Sequence, residues 1–396
     1  MPKKPPIFTK SFIAVALINL LIMTAYYMLF VISAPYATAT FAASPSTAGL
    51  VAGLMILGAI VGRFATGHLI TLFSCRTMLI SGLVIYTASM ALYLVAGSLP
   101  ALCMVRFLSG IGVGCTGNAT SVLVADIVPA SRRGLGISYF SLSTIVALAM
   151  GPFCGLFLIL RVSFATIFII CILAGAASLI VVYAMNLQNV VIEEKAQTSL
   201  LSIHNYLEVQ VLPFSLVVLI TGLCWGSVQA FIANYSEYRN LVWAASMFFL
   251  VYAVVVFISR PITGRIFDRY GENRIVPPSL FIMSCGLLML ALATSNWMML
   301  AAGGLIGAGF GNFQSTGQSL VLKMVNSARY PHATSTFFIM LDFGVGLGPY
   351  LLGHLQPMLG YGGLYAVSAA ISFLAIPIYC LLRWNKKKPL GQAEGK

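Results

Sequence analysis

Apolar residues run along this chain in long unbroken blocks, separated by short polar interruptions, rather than in the alternation of a half-buried strand. A helix crossing a hydrocarbon layer of about 30 Å needs roughly 20 apolar residues. On that ruler the chain predicts twelve spans, at 11–34, 46–70, 77–97, 99–125, 134–160, 164–185, 212–235, 241–266, 275–294, 297–322, 333–356 and 363–384. One long polar segment, 186–211, carries Glu193, Glu194, Lys195, His204 and Glu208 and separates six spans from six. The expected organisation is an N-terminal six-helix bundle (1–185), a cytoplasmic central linker (186–211) and a C-terminal six-helix bundle (212–396).

Composition removes the soluble alternatives. Of 396 residues, 60% are hydrophobic and 8% charged, against about 25% charged in soluble domains. A net charge of +13 would ordinarily point to nucleic acid, but that reading needs a basic patch on a soluble face. Here the charges punctuate apolar blocks, so no nucleic-acid partner is expected. With twelve spans both termini share a side, and 19 of the 22 Lys and Arg, Arg63 among them, fall in or beside loops on that side. Positive charge marks the cytoplasmic side. The expected location is therefore the inner or plasma membrane, multi-pass, with both termini cytoplasmic. The apolar stretch after Lys10 is too long for the h-region of a cleaved leader. Eight scattered Cys without a C-x-x-C pair and four dispersed His predict no disulfide, metal site or cofactor.

A repeat runs through the chain at one offset. Arg63, Thr66 and Gly67 recur as Arg260, Thr263 and Gly264, each 197 residues later. At the same offset Gly110, Gly112 and Gly114 recur as Gly307, Gly309 and Gly311, and Gly151-Pro152 as Gly348-Pro349. Single matches of this kind arise by chance in a glycine-rich chain, but three ungapped ones six spans apart indicate duplication. The fold class expected is an all-α membrane protein of twelve transmembrane helices in two six-helix pseudo-repeats. Such parallel halves form a transporter plan with substrate bound between them near the midplane.

The segment after span 8 reads Gly264-Arg-Ile-Phe-Asp268-Arg269-Tyr-Gly271-Glu-Asn-Arg274. It resembles the cytoplasmic G-x-x-x-D-R-x-G-R-[RK] motif of the major facilitator superfamily; such a cluster could latch the cytoplasmic side closed and be remade in each cycle, the alternative being an ordinary positively charged cytoplasmic loop. Gly264 would let two helices approach closely, Gly271 would permit a tight turn, and Asp268 could pair with arginine. The first-half copy has Thr71 and Ser74 where the motif has its acid and second glycine. Asp126, at the end of span 4, is the candidate for the missing anion, the alternative being simple helix-end solvation. Gly151, Pro152 and Gly155 in span 5 resemble the G-P-x-x-G core found in drug:proton antiporters of the family, the alternative being packing alone. Arg106-Phe-Leu-Ser-Gly110 resembles the family's span-4 motif, whose arginine is linked to proton coupling; an arginine snorkelling to the outer interface is the alternative. The family's cavity is lined by spans 1, 4, 7 and 10. The resemblance therefore nominates Asn19, Tyr26, Tyr27, Asn118, Trp225, Gln229, Gln314 and Gln318, any of which could instead be an interhelical hydrogen bond.

Asp342 is the one acid of nine placed at mid-depth, and its repeat partner is Ile145. Intramembrane acids are costly and functional by default, so Asp342 is the candidate proton-coupling residue, together with Arg106. The alternative is a structural carboxylate bonded to Gln229, Asn312 or Gln318. No phosphate loop is present, which argues against ATP-driven transport, and no catalytic cluster indicates an enzyme. What remains is a secondary transporter working by alternating access. The resemblance to the drug:proton antiporter branch implies that it is a monomeric, proton-coupled exporter of a small organic molecule, a drug, metabolite or metallophore. The alternative is an uptake symporter for a sugar or organic acid. Members of the family that export cationic drugs commonly carry an acid in the membrane region of the first half. This chain has none between Ser11 and Val124, so a neutral, zwitterionic or anionic cargo rivals a cationic one.

Overall fold

A computed structural model describes residues 6–129, 133–185, 208–326 and 329–386. Most of the 186–211 linker lies outside the described residues. The first half comprises α1 (Lys10–Phe41), α2 (Pro45–Leu72), α3 (Cys75–Tyr93), α4 (Leu99–Ile127), α5 (Arg133–Ile159) and α6 (Phe164–Ala184). The second comprises α7 (Leu212–Arg239), α8 (Val242–Tyr270), α9 (Val276–Ala291), α10 (Asn296–Ile306), α11 (Asn312–Lys323), α12 (Tyr330–Gly353) and α13 (Gln356–Lys386). Eleven of these helices are individually long and apolar enough to cross a membrane. The tenth crossing is shared by α10 and α11, which a π-helical turn, Gly307–Gly311, joins end to end.

Serine and threonine caps start many of the helices. Thr9, Ser44, Ser74, Ser98, Ser163 and Ser295 each accept a hydrogen bond from a backbone N–H of the first turn, satisfying a donor that the helix leaves orphaned. The first span was expected to end at Ala34, before Pro35. Instead α1 runs through Pro35 to Phe41 and stops at Ala42 in the left-handed region. Membrane helices tolerate an internal proline because neighbouring helices and side chains re-satisfy the freed backbone. In span 12 the break is at Gly360, whose φ of 68° kinks α13.

The duplication is visible in the packing. A Cβ at Gly110 would run into the Met55 carbonyl and one at Gly114 into that of Ala59, both on α2, while Gly112 is pressed against Tyr86 on α3. At the same offset Gly307 meets Tyr252 and Gly311 meets Val256 on α8, and Gly309 meets Met283 on α9. Each glycine trio wedges one span between two neighbours, and the contacted residues are themselves 197 apart. Small residues at such crossings let backbones pack closely where no hydrophobic force drives association. Gly151 and Gly155 likewise press α5 against α1, and Gly344 and Gly348 press α12 against α7.

The two halves meet most tightly at the face opposite the chain ends. There Gly49 and Gly53 of α2 lie against the Pro349 and Gly346 carbonyls of α12, and Gly353 lies against Pro45. We refer to this as the far face, and to the face carrying the start of α1 as the terminal face. At the terminal face Gly67 and Gly264 have nothing within 4 Å of a Cβ position. The halves are sealed at one end, and the cavity between them is lined as far as Gly67 at the terminal face.

Candidate functional site

The cavity has a volume of about 640 Å³ and takes walls from both halves. α1 contributes Asn19, Tyr26 and Tyr27; α4 contributes Asn118; α7 contributes Trp225 and Gln229; α11 contributes Gln314; α12 contributes Asp342. The sequence-nominated set therefore converges on one space, with two exceptions. Gln318 is not part of the wall. Arg106 is fully buried elsewhere.

Arg106 is enclosed by α2, α3 and α4. Its Nε donates to the Val51 carbonyl at 2.9 Å, Nη2 to that of Ala52 at 3.0 Å, and Nη1 to the Tyr93 hydroxyl at 3.3 Å. Nη1 also lies 3.1 Å from the Met55 sulfur. Neither the cavity nor the outer interface receives this side chain. Carbonyl dipoles take the place of a carboxylate, and the guanidinium ties α4 to the far-face half of α2.

The cation that does reach the cavity is Arg63. It donates from Nη1 to Asp342 Oδ2, an ion pair that joins α2 of the first half to α12 of the second. Arg63 was counted above as a topology cation and a member of the repeat, and not as a site residue. Two signals in the sequence could have singled it out: it lies well inside the 46–70 span, and it is repeated as Arg260. The pair also settles the partner of Asp342, since none of the three amides offered as alternatives binds it. Asn312 instead donates to Ser259 and to the Ala308 carbonyl and accepts from Thr263. Asn19 donates to Ser143 and Thr144 at 2.8 and 3.0 Å, and Asn118 to the Arg63 carbonyl at 3.2 Å, fixing the first-half wall. Trp225 is stacked between Tyr252 and Phe310, with centroids 4.6 and 5.1 Å away. Phe310 sits in the π turn.

The gate-like motif is mostly helical rather than a loop. Gly264, Asp268 and Arg269 belong to the last turns of α8, and only Gly271, with φ of 77°, makes the turn into Glu272–Arg274. Gly264 does not mediate a close approach in this conformation. Arg269 and Arg274 stand over the Tyr270 ring, while the side chain of Asp268 lies outside the described residues. Asp126 is exposed and forms no ion pair with another described residue. A second ion pair was not anticipated. Glu208 accepts from Arg329 Nε at 2.7 Å while its backbone N–H donates to Thr336, tying the chain before α7 to the start of α12. The Arg329 hydrogen bond holds the Glu208 carboxyl below its ordinary range.

The Major Facilitator Superfamily model matches residues 15–294 and 243–396. The chain belongs to this superfamily. An uncharacterized MFS-type transporter of Methanocaldococcus jannaschii is 22% identical over 304 residues, 75% of this chain and 78% of the relative. The fosmidomycin resistance protein of Escherichia coli K12 is 27% identical over 161 residues, 39% of each chain. Among solved structures, the nucleoside transporter NupG aligns with a TM-score of 0.74 at 14% identity, covering 96% of this chain and all of that one. A POT family transporter in complex with 5-aminolevulinic acid aligns with a TM-score of 0.75 at 13% identity, covering 95% and 96%. At these identities the structures share the superfamily fold. The protein is a multi-pass membrane transporter.

Proposed function

We propose that the transporter is proton-coupled, with Asp342 as the protonated group and Arg63 as its counter-ion, and that it moves a small organic molecule by alternating access. The observation that carries this is the Arg63–Asp342 pair, which crosses between the halves inside a cavity open to one face. A charge-assisted hydrogen bond is roughly twice as strong as a neutral one. Protonating Asp342 therefore weakens the link between α2 and α12 at mid-depth and makes the relative position of the halves sensitive to the proton.

With the termini cytoplasmic, the terminal face is the inner one, and the structure is the inward-facing member of the cycle. Opening the far face parts Gly49, Gly53 and Gly353 from their partners across the seal. Closing the terminal face brings together the ends of α2 and α8 that carry Gly67, Gly264 and the Asp268–Arg274 segment. The chain acts as a monomeric carrier with no chemical conversion of its cargo. The likeness to a resistance protein supports export, and the uptake of an organic acid is the second reading, favoured by the position of Arg63. The test is proton movement in reconstituted vesicles containing a pH-sensitive dye. Asp342→Asn is expected to abolish proton movement coupled to substrate; proton movement at the wild-type rate would overturn the proposal.

A further inference from the structure

We infer that the cavity binds an organic anion between Arg63 and Gln229, and that it does so together with a proton on Asp342. The inference rests on the coupling role proposed for Asp342 and adds the class of cargo.

Of the two members of the ion pair, the cation is the one offered to the cavity: the Arg63 side chain is 44% exposed and that of Asp342 17%. One hydrogen bond to Asp342 engages Nη1, and Nε and Nη2 have no partner among the described residues. Independently, Gln229 is 3% exposed, lines the same cavity, and its amide Nε2 has no hydrogen-bond partner among the described residues. A buried donor left unmade is costly, and an acceptor on a bound ligand removes that cost. Asp342 is the one acid among the described lining residues, and Arg63 already occupies it. A cation entering the cavity must displace a guanidinium, whereas an anion finds donors waiting. The Tyr252–Trp225–Phe310 stack adds a flat apolar wall. The ligand this chemistry fits is a small molecule with one carboxylate, sulfonate or phosphonate group on a flat apolar body.

Asp342 and the ligand's anionic group compete for the same guanidinium. When a proton adds to Asp342 Oδ2, the Arg63 hydrogen bond passes from the carboxylate to the ligand oxygen, and no charge is left unpaired. Ligand and proton are then loaded together, which makes the carrier a symporter and reverses the export direction expected from the span-5 motif.

The experiment uses the purified full-length protein and a panel of benzoate, benzenesulfonate, phenylphosphonate, benzamide and tetraphenylphosphonium, with binding read as thermal stabilisation at about pH 6 and about pH 8. At least one of the three anions should stabilise the wild type, with affinity rising up to about tenfold for each unit of falling pH, the linkage slope of one proton taken up. The pH dependence should vanish in Asp342→Asn, and Gln229→Leu should weaken binding about tenfold, as the loss of one hydrogen bond to a charged group does. Binding should be lost in Arg63→Gln. If that variant does not fold, the double variant Arg63→Gln/Asp342→Asn, which strands no charge, gives the same reading. Stabilisation by benzamide or tetraphenylphosphonium in place of the anions overturns the inference, as does no response to any of the three anions or anion binding that survives loss of Arg63. If cations bind while Asp342→Asn still abolishes proton movement, the anion site falls and the coupling role stands. If anions bind without pH dependence, co-loading falls.

Discussion

Gly53→Ala tests the far-face seal, because the structure leaves no room for a single added carbon there. A Cβ at position 53 would lie 1.8 Å from the Gly346 carbonyl oxygen and 2.8 Å from its carbon, both backbone atoms of α12. Ordinary contact begins near 3.4 Å, so the two helices must part by 1.6 Å along that line. No side-chain rotation relieves the clash, and Gly49, one turn away, is wedged against the Pro349 carbonyl in the same manner. Overpacking of this kind costs about 1–3 kcal/mol, and every 1.4 kcal/mol is about tenfold in an equilibrium. The ratio of far-face-closed to far-face-open protein should fall by roughly 5- to 150-fold, with the bundles themselves intact. The assay is alkylation of a cysteine placed at Ala48, which is buried on α2 beside the seal, in a background freed of native cysteines. With Gly53 present a membrane-impermeant maleimide should not react; in the Gly53→Ala variant it should. If the cysteine at position 48 stays protected and transport is unchanged, the close approach of α2 and α12 is not what seals this face.

Three further outcomes follow from the same geometry. Gly67→Ala and Gly264→Ala meet nothing within 4 Å in this conformation, so both should fold with unchanged melting temperature yet slow transport, by obstructing closure of the terminal face; unimpaired transport would show that closure does not use these glycines. Arg106→Met should lower the melting temperature, since it deletes three hydrogen bonds to α2 and α3 worth up to about 1.5–3 kcal/mol each. It should also leave the ratio of protons to substrate intact; loss of coupling in a folded Arg106→Met protein would return this residue to the coupling machinery. Glu208 has a lowered carboxyl pKa in the folded protein, so its pairing with Arg329 stabilises above the ordinary carboxylate range near 4.5 and is lost as pH falls through the folded value. Glu208→Gln should cost within about 1 kcal/mol at neutral pH and nothing at low pH, a difference that denaturation at the two pH values measures.

The scaffold was legible because block length gives the crossings and the 197-residue offset gives the symmetry. Which glycine touches which neighbour came only from the structure, where the contacts follow the same offset. Nearly all the nominated cavity residues also converge, because the superfamily likeness supplies the order of helices around the axis. The charged partners were another matter. Arg63 and Arg106 are both arginines in apolar spans, and sequence ranks Arg106 higher because its motif is better known. Which one faces the cavity depends on helix rotation and on whether nearby carbonyls solvate the guanidinium, and neither is written in spacing. The end of α1 was missed because the apolar count stopped at Ala34, whereas the helix runs on through Pro35 to Phe41, as membrane helices can where neighbours re-satisfy the backbone.

Symmetry breaks at the ion pair, and the break is open to experiment. Arg63 has a repeat partner in Arg260, on α8, but the partner of Asp342 is Ile145, on α5. α5 contacts α8 just as α12 contacts α2. The duplicated interface therefore retains the cation without the anion, and the buried Nε of Arg260 has no hydrogen-bond partner among the described residues. If the two interfaces share their geometry as closely as the glycine trios do, Ile145→Asp places a carboxylate within reach of Arg260. A carboxylate inserted at this depth with no counter-ion should cost several kcal/mol. With Arg260 in reach, most of that cost should disappear. The measurement is a double-mutant cycle of Ile145→Asp with Arg260→Gln, read by thermal unfolding. A coupling energy of at least about 1 kcal/mol is expected for directly paired groups. Zero coupling would mean that the halves diverged in rotation here as well as in residue type. A positive result would mean that the duplicated interface keeps the geometry of the pair, so that the residue at one position decides whether that interface holds an ion pair.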